Sequence, residues 1–153
     1  MAARNRSAAR LAAVQALYQM EVAGKGLNEI LAEFETHWIG NEVEGEQYEE
    51  ADMDLFRDVV RGVLSDQLAI DRQTDATLQE GWPLRRVDAV MRAVMRAGVY
   101  ELKGRGDIPA RVVIKEYVDV AAAFLGADEV GMINAVLDKL GRKIRADEFA
   151  PRV

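Results

Sequence analysis

The stretch Val87–Leu102, VDAVMRAVMRAGVYEL, constrains the fold more than any other. Wound at about 100° per residue, it puts Val87, Val90, Met91, Val94, Met95, Gly98 and Leu102 on one broad apolar face. Ala89, Ala93, Ala97 and Tyr100 occupy much of what remains. A helix apolar nearly all round is packed on several sides, so this segment is expected to be a central rod. One narrow basic ridge interrupts it: Arg85, Arg92, Arg96 and Lys103 fall within about 40° of one another. Either the ridge faces an anionic partner, or these side chains lie over neighbouring helices and meet acids there.

With 153 residues, 50% of them hydrophobic, the chain suits one domain or two small subdomains sharing a core. Having no cysteine, it makes no disulfide, thiolate metal site or cysteine nucleophile. No apolar run approaches the roughly 20 residues of a membrane span. The beginning MAARNRSAARLAAV has no uninterrupted apolar core of a secretory signal, which points to the cytoplasm. The net charge of -6 is unevenly spread: residues 1–20 carry Arg4, Arg6 and Arg10 with no acid, while residues 26–56 hold ten acids and no Lys or Arg. A basic patch can bind phosphates while acidic surface elsewhere discourages loose binding.

Residues 7–23 are expected to form the first helix, with Ser7 as N-cap and Leu11, Val14, Tyr18 and Val22 as a core-facing stripe. Arg6 and Arg10 then sit where cations oppose the positive end of the helix dipole, so helix stability does not explain them. A phosphate at the helix start would, as backbone N–H groups and flanking arginines make an anion site; the alternative is a frayed, solvated terminus. Gly24 and Gly26 stop this helix, and Leu27, Ile30, Leu31 and Phe34 mark a second. Residues 40–50, GNEVEGEQYEE, have little to bury and read as an acidic loop. A third helix is expected over roughly 51–68, and a fourth through Ile70, Thr74 and Leu78, ended by Gly81 and Pro83. After the rod, Gly104 and Gly106 turn the chain and Pro109 opens a helix buried through Val113, Tyr117, Val120, Ala121 and Phe124, with Lys115 and Asp119 paired on its wet side. Gly126 is the expected C-cap and Asp128 the cap of a last helix with Val130, Ile133, Leu137, Leu140 and Ile144 inside. The tail RADEFAPRV reads as loose, and no strand is expected.

The chemistry of catalysis is thin. His37 is the only histidine, without the partners of an HExxH or ExxH metal site, and there is no phosphate-binding GxxxxGK[ST] loop. No cofactor or metal site is expected. Glu101 is the informative carboxylate: it falls inside the apolar face of the rod, where an unpaired charge costs several kcal/mol. Its nearest donors in sequence are Arg111 and the free N–H groups after Pro109. Asn134, at the edge of the last core stripe, is expected to tie helices together in the same way.

The segments AAVQALYQME (12–21), LFRDVVRGV (55–63), AVMRAGVYEL (93–102), DIPARVVIKEYVDVAAAF (107–124) and INAVLDKL (133–140), in this order, closely resemble the NusB family of bacterial transcription antitermination factors. The resemblance covers nearly the whole chain apart from the acidic loop and tail. It implies an all-α fold of about seven helices in two small bundles sharing a core, an N-terminal subdomain over about 1–80 and a C-terminal one over about 81–145. It implies no enzymatic activity, and binding of boxA single-stranded RNA in nascent ribosomal RNA as a heterodimer with a small-subunit ribosomal protein, alongside other Nus factors and RNA polymerase. Carried onto this chain, it points to Arg4, Arg6 and Arg10 as phosphate contacts, Gln15 and Tyr18 next on that helix, and Asp128 and Met132 on the same RNA side. The partner face is expected to comprise Arg85, Asp88, Arg92, Arg96 and Glu116. Family members usually carry Asn at Lys115 and Gly at Ala135. Two competing readings are the NusB-like module of certain RNA cytosine methyltransferases, for whose cofactor domain and catalytic cysteine the chain has no room and no residue, and a helical adaptor that binds only proteins.

Overall fold

The computed structural model describes residues 2–39, 42–43, 46–47, 52–78 and 87–150, with side chains for 5–36, 52–78 and 87–150. Seven helices lie among the described residues: α1 (Ala2–Ala23), α2 (Leu27–Ile39), α3 (Met53–Thr77), α4 (Ala89–Gly104), α5 (Ala110–Phe124), α6 (Ala127–Ile144) and α7 (Ala146–Phe149). Two-residue strands β1 (Glu42–Val43) and β2 (Glu46–Gln47) pair antiparallel in the acidic segment, a minimal ladder where no strand was expected, and the fold remains all-α.

The rod is α4. It touches α1, α3, α5 and α6, and these four touch one another in the cycle α1–α3–α6–α5–α1 around it. Its buried residues accordingly cover all of its circumference except the ridge of Arg92, Arg96 and Lys103: Met91, Ala93, Val94, Met95, Ala97, Gly98, Val99, Glu101 and Leu102. Asp88 caps it, its Oδ1 accepting from the Val90 N–H at 2.8 Å. A Cβ added to Gly98 would lie 3.0 Å from Leu137 Cδ2, so the missing side chain lets α4 and α6 approach closely. α1 runs beside α3 in the same direction, Asn5 lying against Asp52 while Glu21 and Asp71 both reach Arg96 of the antiparallel α4.

Several local expectations change. α1 begins five residues earlier than Ser7, and its inner face is not the expected stripe. Ala9, Ala12, Ala13, Ala16 and Leu17 are buried with Val14, whereas Leu11 is half-buried, Tyr18 is 36% exposed and Val22 is 59% exposed. Alanines bring the helix axis close to α3 and α4, and the larger side chains turn outward. Gly24 does end α1, at φ +69°, a conformation glycine adopts without strain. The expected third and fourth helices are one, bent at Asp66 (φ -121°, ψ 15°). Gly81, Trp82, Pro83 and Arg85 lie outside the described residues, as does most of the acidic loop. Asp128 stands in the first turn of α6 and complements its dipole, while Gly126 takes the N-cap position and Leu125 ends α5.

The tail is not loose through Phe149. Arg145 donates to the carbonyls of Leu102 (2.6 Å), Ile108 (2.9 Å), Arg105 (2.7 Å) and Glu101 (3.1 Å), satisfying the C-terminal end of α4 and the following turn. Glu148 accepts the Ala110 N–H at the start of α5 at 2.8 Å, and the Phe149 ring lies beneath the guanidinium groups of Arg111 and Arg142.

Candidate nucleic-acid interface

The first turns of α1 are held at three points. The Asp52 N–H donates to the Asn5 carbonyl at 2.9 Å. Ser7, which the sequence suggested as an N-cap, instead donates its hydroxyl to both Glu116 carboxylate oxygens at 2.9 Å. Arg10 forks onto Glu101, Nε to Oε2 at 2.9 Å and Nη2 to Oε1 at 3.0 Å, and its Nη1 lies 3.4 Å from Glu116 Oε1. The Tyr117 hydroxyl donates to the same Glu101 oxygen. Thus α1, α4 and α5 meet at one buried polar junction.

This junction answers the Glu101 question and corrects two expectations. The donors are Arg10 and Tyr117, not Arg111; the Ala110 N–H near it is taken by Glu148. Arg10 is 1% exposed with its fork occupied, so it is removed from the set of phosphate contacts. The signal was available in its spacing: it stands four and seven residues before Val14 and Leu17, both buried. Asn134, by contrast, is exposed and edges a shallow groove with Arg111 and Phe149.

The remaining predicted RNA residues separate into two places. Arg6 is 41% exposed at the leading end, its Nε 3.9 Å from Asp52 Oδ2. Arg4 lies in the same first turn, its side chain outside the described set. Gln15 and Tyr18 follow on the outward face of α1 beside Leu11 and Val22. Asp128 and Met132 line a groove of about 520 Å³ with Thr77, Leu78 and Lys139, at the opposite end of the 25-residue α3 from Arg6 and Asp52. The structure therefore does not bring them together with the arginine end.

The basic ridge of α4 meets acids within the chain. Arg92 pairs with Glu21 at 2.6 Å, Arg96 forks onto Asp71 at 2.9 Å, and Lys103 reaches Asp66 at 2.6 Å. Arg92 and Arg96, only 15% and 13% exposed, are structural rather than a free partner face. Asp88 is engaged as a helix cap and Glu116 with Ser7. Sequence reasoning overlooked Asp52, Arg105 and Asp107. Arg105 binds Asp107 at 3.0 Å and Asp58 at 3.2 Å. Its hydrogen bonds hold the Asp107 carboxyl below the usual range, and the charge of Arg6 adds to that effect.

Burial at the junction raises the Tyr117 hydroxyl well above its ordinary pKa, and the negative charge of Glu101 reinforces the shift. On Arg10, burial works against the charged form, but the Glu101 hydrogen bonds and charge outweigh it. An unfolded tyrosine releases its proton near pH 10 while folded Tyr117 retains it, so the folded state binds more protons above that pH and stability falls as pH rises. Denaturation midpoints followed from about pH 9 to 11 should decline less steeply for Tyr117→Phe than for the unaltered chain, by up to about 1.4 kcal/mol per pH unit; equal slopes would mean Tyr117 ionises while folded.

The comparisons with known proteins agree with this architecture. The family model described as NusB family matches residues 7–142. The chain belongs to the NusB family. It is 60% identical over 150 residues to the transcription antitermination protein NusB of Bradyrhizobium sp. (strain ORS 278), covering 98% of this chain and 89% of the relative. It is 64% identical over 147 residues to the namesake of Rhodopseudomonas palustris (strain HaA2), covering 96% and 87%. A solved structure of T. maritima NusB superposes with a TM-score of 0.77 at 28% identity, covering 94% of this chain and 96% of that one. NusB is a non-enzymatic family of antitermination factors. Of the two departures from the NusB pattern, Lys115 is 78% exposed and pairs with Asp119 at 2.9 Å, and Ala135 lines the groove beside Met132. Among the described residues no helix is long and apolar enough to cross a membrane.

Proposed function

We propose that the chain is a transcription antitermination factor of the cytoplasm that grips boxA-type single-stranded RNA in nascent ribosomal RNA. It does so as a heterodimer with a small-subunit ribosomal protein, in a complex with other Nus factors and RNA polymerase. The observation that carries this reading is the 60% identity, across 98% of the chain, to a transcription antitermination protein NusB. The surface is compatible with it. Arg4 and Arg6 at the leading end supply cations for phosphates, and Gln15 and Tyr18 on the outward face of α1 supply an amide and a ring for unstacked bases. Arg10 has a different part, fixing the helix that presents them. A patch this small needs a second protein to lengthen the RNA platform, with Asp128 and Met132 as a separate contact and Asp88 left exposed toward a partner. The binding unit is the whole body 1–153, its parts of about 1–80 and 81–145 joined through α4.

Replacing Arg4 and Arg6 together by alanine should weaken binding to boxA RNA and lower the salt slope by about 0.7 per lost phosphate contact, with unchanged thermal stability. A mobility assay at two salt concentrations measures both. Unaltered affinity would remove the leading end from the interface, and equal binding of a scrambled RNA would favour an adaptor that binds only proteins.

A further inference from the structure

Arg6 has a carboxylate of the chain itself beside it. Asp52 Oδ2 is 3.9 Å from its Nε, and Asp107 lies near enough to feel its charge. Asp52 is a fixed feature of the fold: its Oδ1 caps α3 by accepting from the Leu55 N–H at 2.9 Å, and its own N–H is bonded to the Asn5 carbonyl one residue before Arg6. One carboxylate oxygen therefore serves the helix while the other is aimed at the cation. Asp54, in the same turn, is 99% exposed and leans toward Arg57 at 3.6 Å instead.

From this geometry we infer that Asp52 is a built-in competitor for phosphate, occupying Arg6 in the free protein so that RNA must displace its carboxylate to bind. The inference rests on the RNA-binding reading above and adds a residue that sets how firmly the leading end holds RNA. A carboxylate in place of phosphate keeps the arginine oriented and discourages weak anions, because only a ligand with further contacts offsets the lost pair. The competition is electrostatic and at the surface, so salt reduces it.

Asp52→Asn isolates the charge, since asparagine caps a helix as well as aspartate does and keeps the backbone N–H that meets Asn5. The full chain with this change should bind a boxA-type RNA oligomer about two- to five-fold more tightly at low salt. That gain should shrink as salt is raised, at an unaltered melting temperature. Asp54→Asn removes the same charge from the same turn and should leave affinity unchanged. If Asp52→Asn proves unstable, Asp52→Ser, another good cap, replaces it with the same expectation. Equal or weaker binding by these variants would overturn the inference, as would an equal gain in Asp54→Asn, which would reduce the effect to net charge. Failure of the unaltered chain to bind the RNA, with or without its ribosomal partner, is a different result: it defeats the RNA-binding reading, and the inference with it.

Discussion

Arg10→Ala is expected to destabilise the protein by about 3–5 kcal/mol, the range for removing one member of a buried ion pair, and Glu101→Ala by a similar amount. Arg10 and Glu101 are 1% and 0% exposed, so neither charge can recover water when its partner is lost. The loss falls on three helices together, because Glu101 of α4 receives Arg10 from α1 and Tyr117 from α5. Against a total of roughly 5–15 kcal/mol for a domain, either change should leave a large share of molecules unfolded at modest denaturant. Urea titration measures this. Arg10→Lys should fall between, since an ammonium cannot reproduce the two-pronged contact. Exchanging all three residues, Arg10→Met with Glu101→Leu and Tyr117→Phe, should recover most of the loss, because an apolar set has no desolvation to offset and leaves no buried hydroxyl without an acceptor. A cost below about 1 kcal/mol for Arg10→Ala would show that water reaches the junction. RNA binding by Arg10→Ala should follow the folded fraction alone, which separates a structural arginine from a contacting one.

The sequence announced the rod because α4 is apolar everywhere but along one narrow basic ridge, a property that hardly depends on the choice of face. It also announced that Glu101 needed donors, since a carboxylate inside that face is costly alone. It did not reveal which donors, because Arg10 lies 91 residues earlier and only the fold brings the two together. The inner face of α1 was misread for a physical reason. Size-weighted periodicity follows Leu11, Tyr18 and Val22, but close helix packing selects Ala9, Ala12, Ala13 and Ala16. Once α1 is turned accordingly, Arg10 goes inside and Gln15 and Tyr18 go out, so one error of phase explains both the lost phosphate contact and the exposed aromatic ring. The basic ridge shows the same limit. Arg92, Arg96 and Lys103 were legible as one stripe, but Glu21, Asp71 and Asp66 lie on other helices and only antiparallel packing sets them opposite.

Gly62→Ala should destabilise the protein even though it replaces glycine within a helix, where alanine alone would gain about 1 kcal/mol. The Tyr100 ring crosses α3 directly over this residue: a Cβ there would lie 2.0 Å from Cε1 and 2.2 Å from Cζ. The ring cannot yield freely, since its hydroxyl donates to Asp58 Oδ1 at 2.7 Å and its other flank rests on Gly104. Displacing it costs about 1–3 kcal/mol in overpacking, together with roughly 1.5–3 kcal/mol for the bond to a charged acceptor, so after the propensity gain the net loss should be about 1.5–5 kcal/mol. Burial, helped by that hydrogen bond, raises the Tyr100 hydroxyl to about 12. In Gly62→Ala the tyrosinate absorbance of this residue should therefore appear at lower pH as the ring moves into water. The sign of the effect should reverse in a Tyr100→Ala background, where the obstacle is gone and Gly62→Ala should gain up to about 1 kcal/mol through helix propensity. A double-mutant cycle that found the same loss in both backgrounds would place the strain in the backbone of α3 and not in the ring above it.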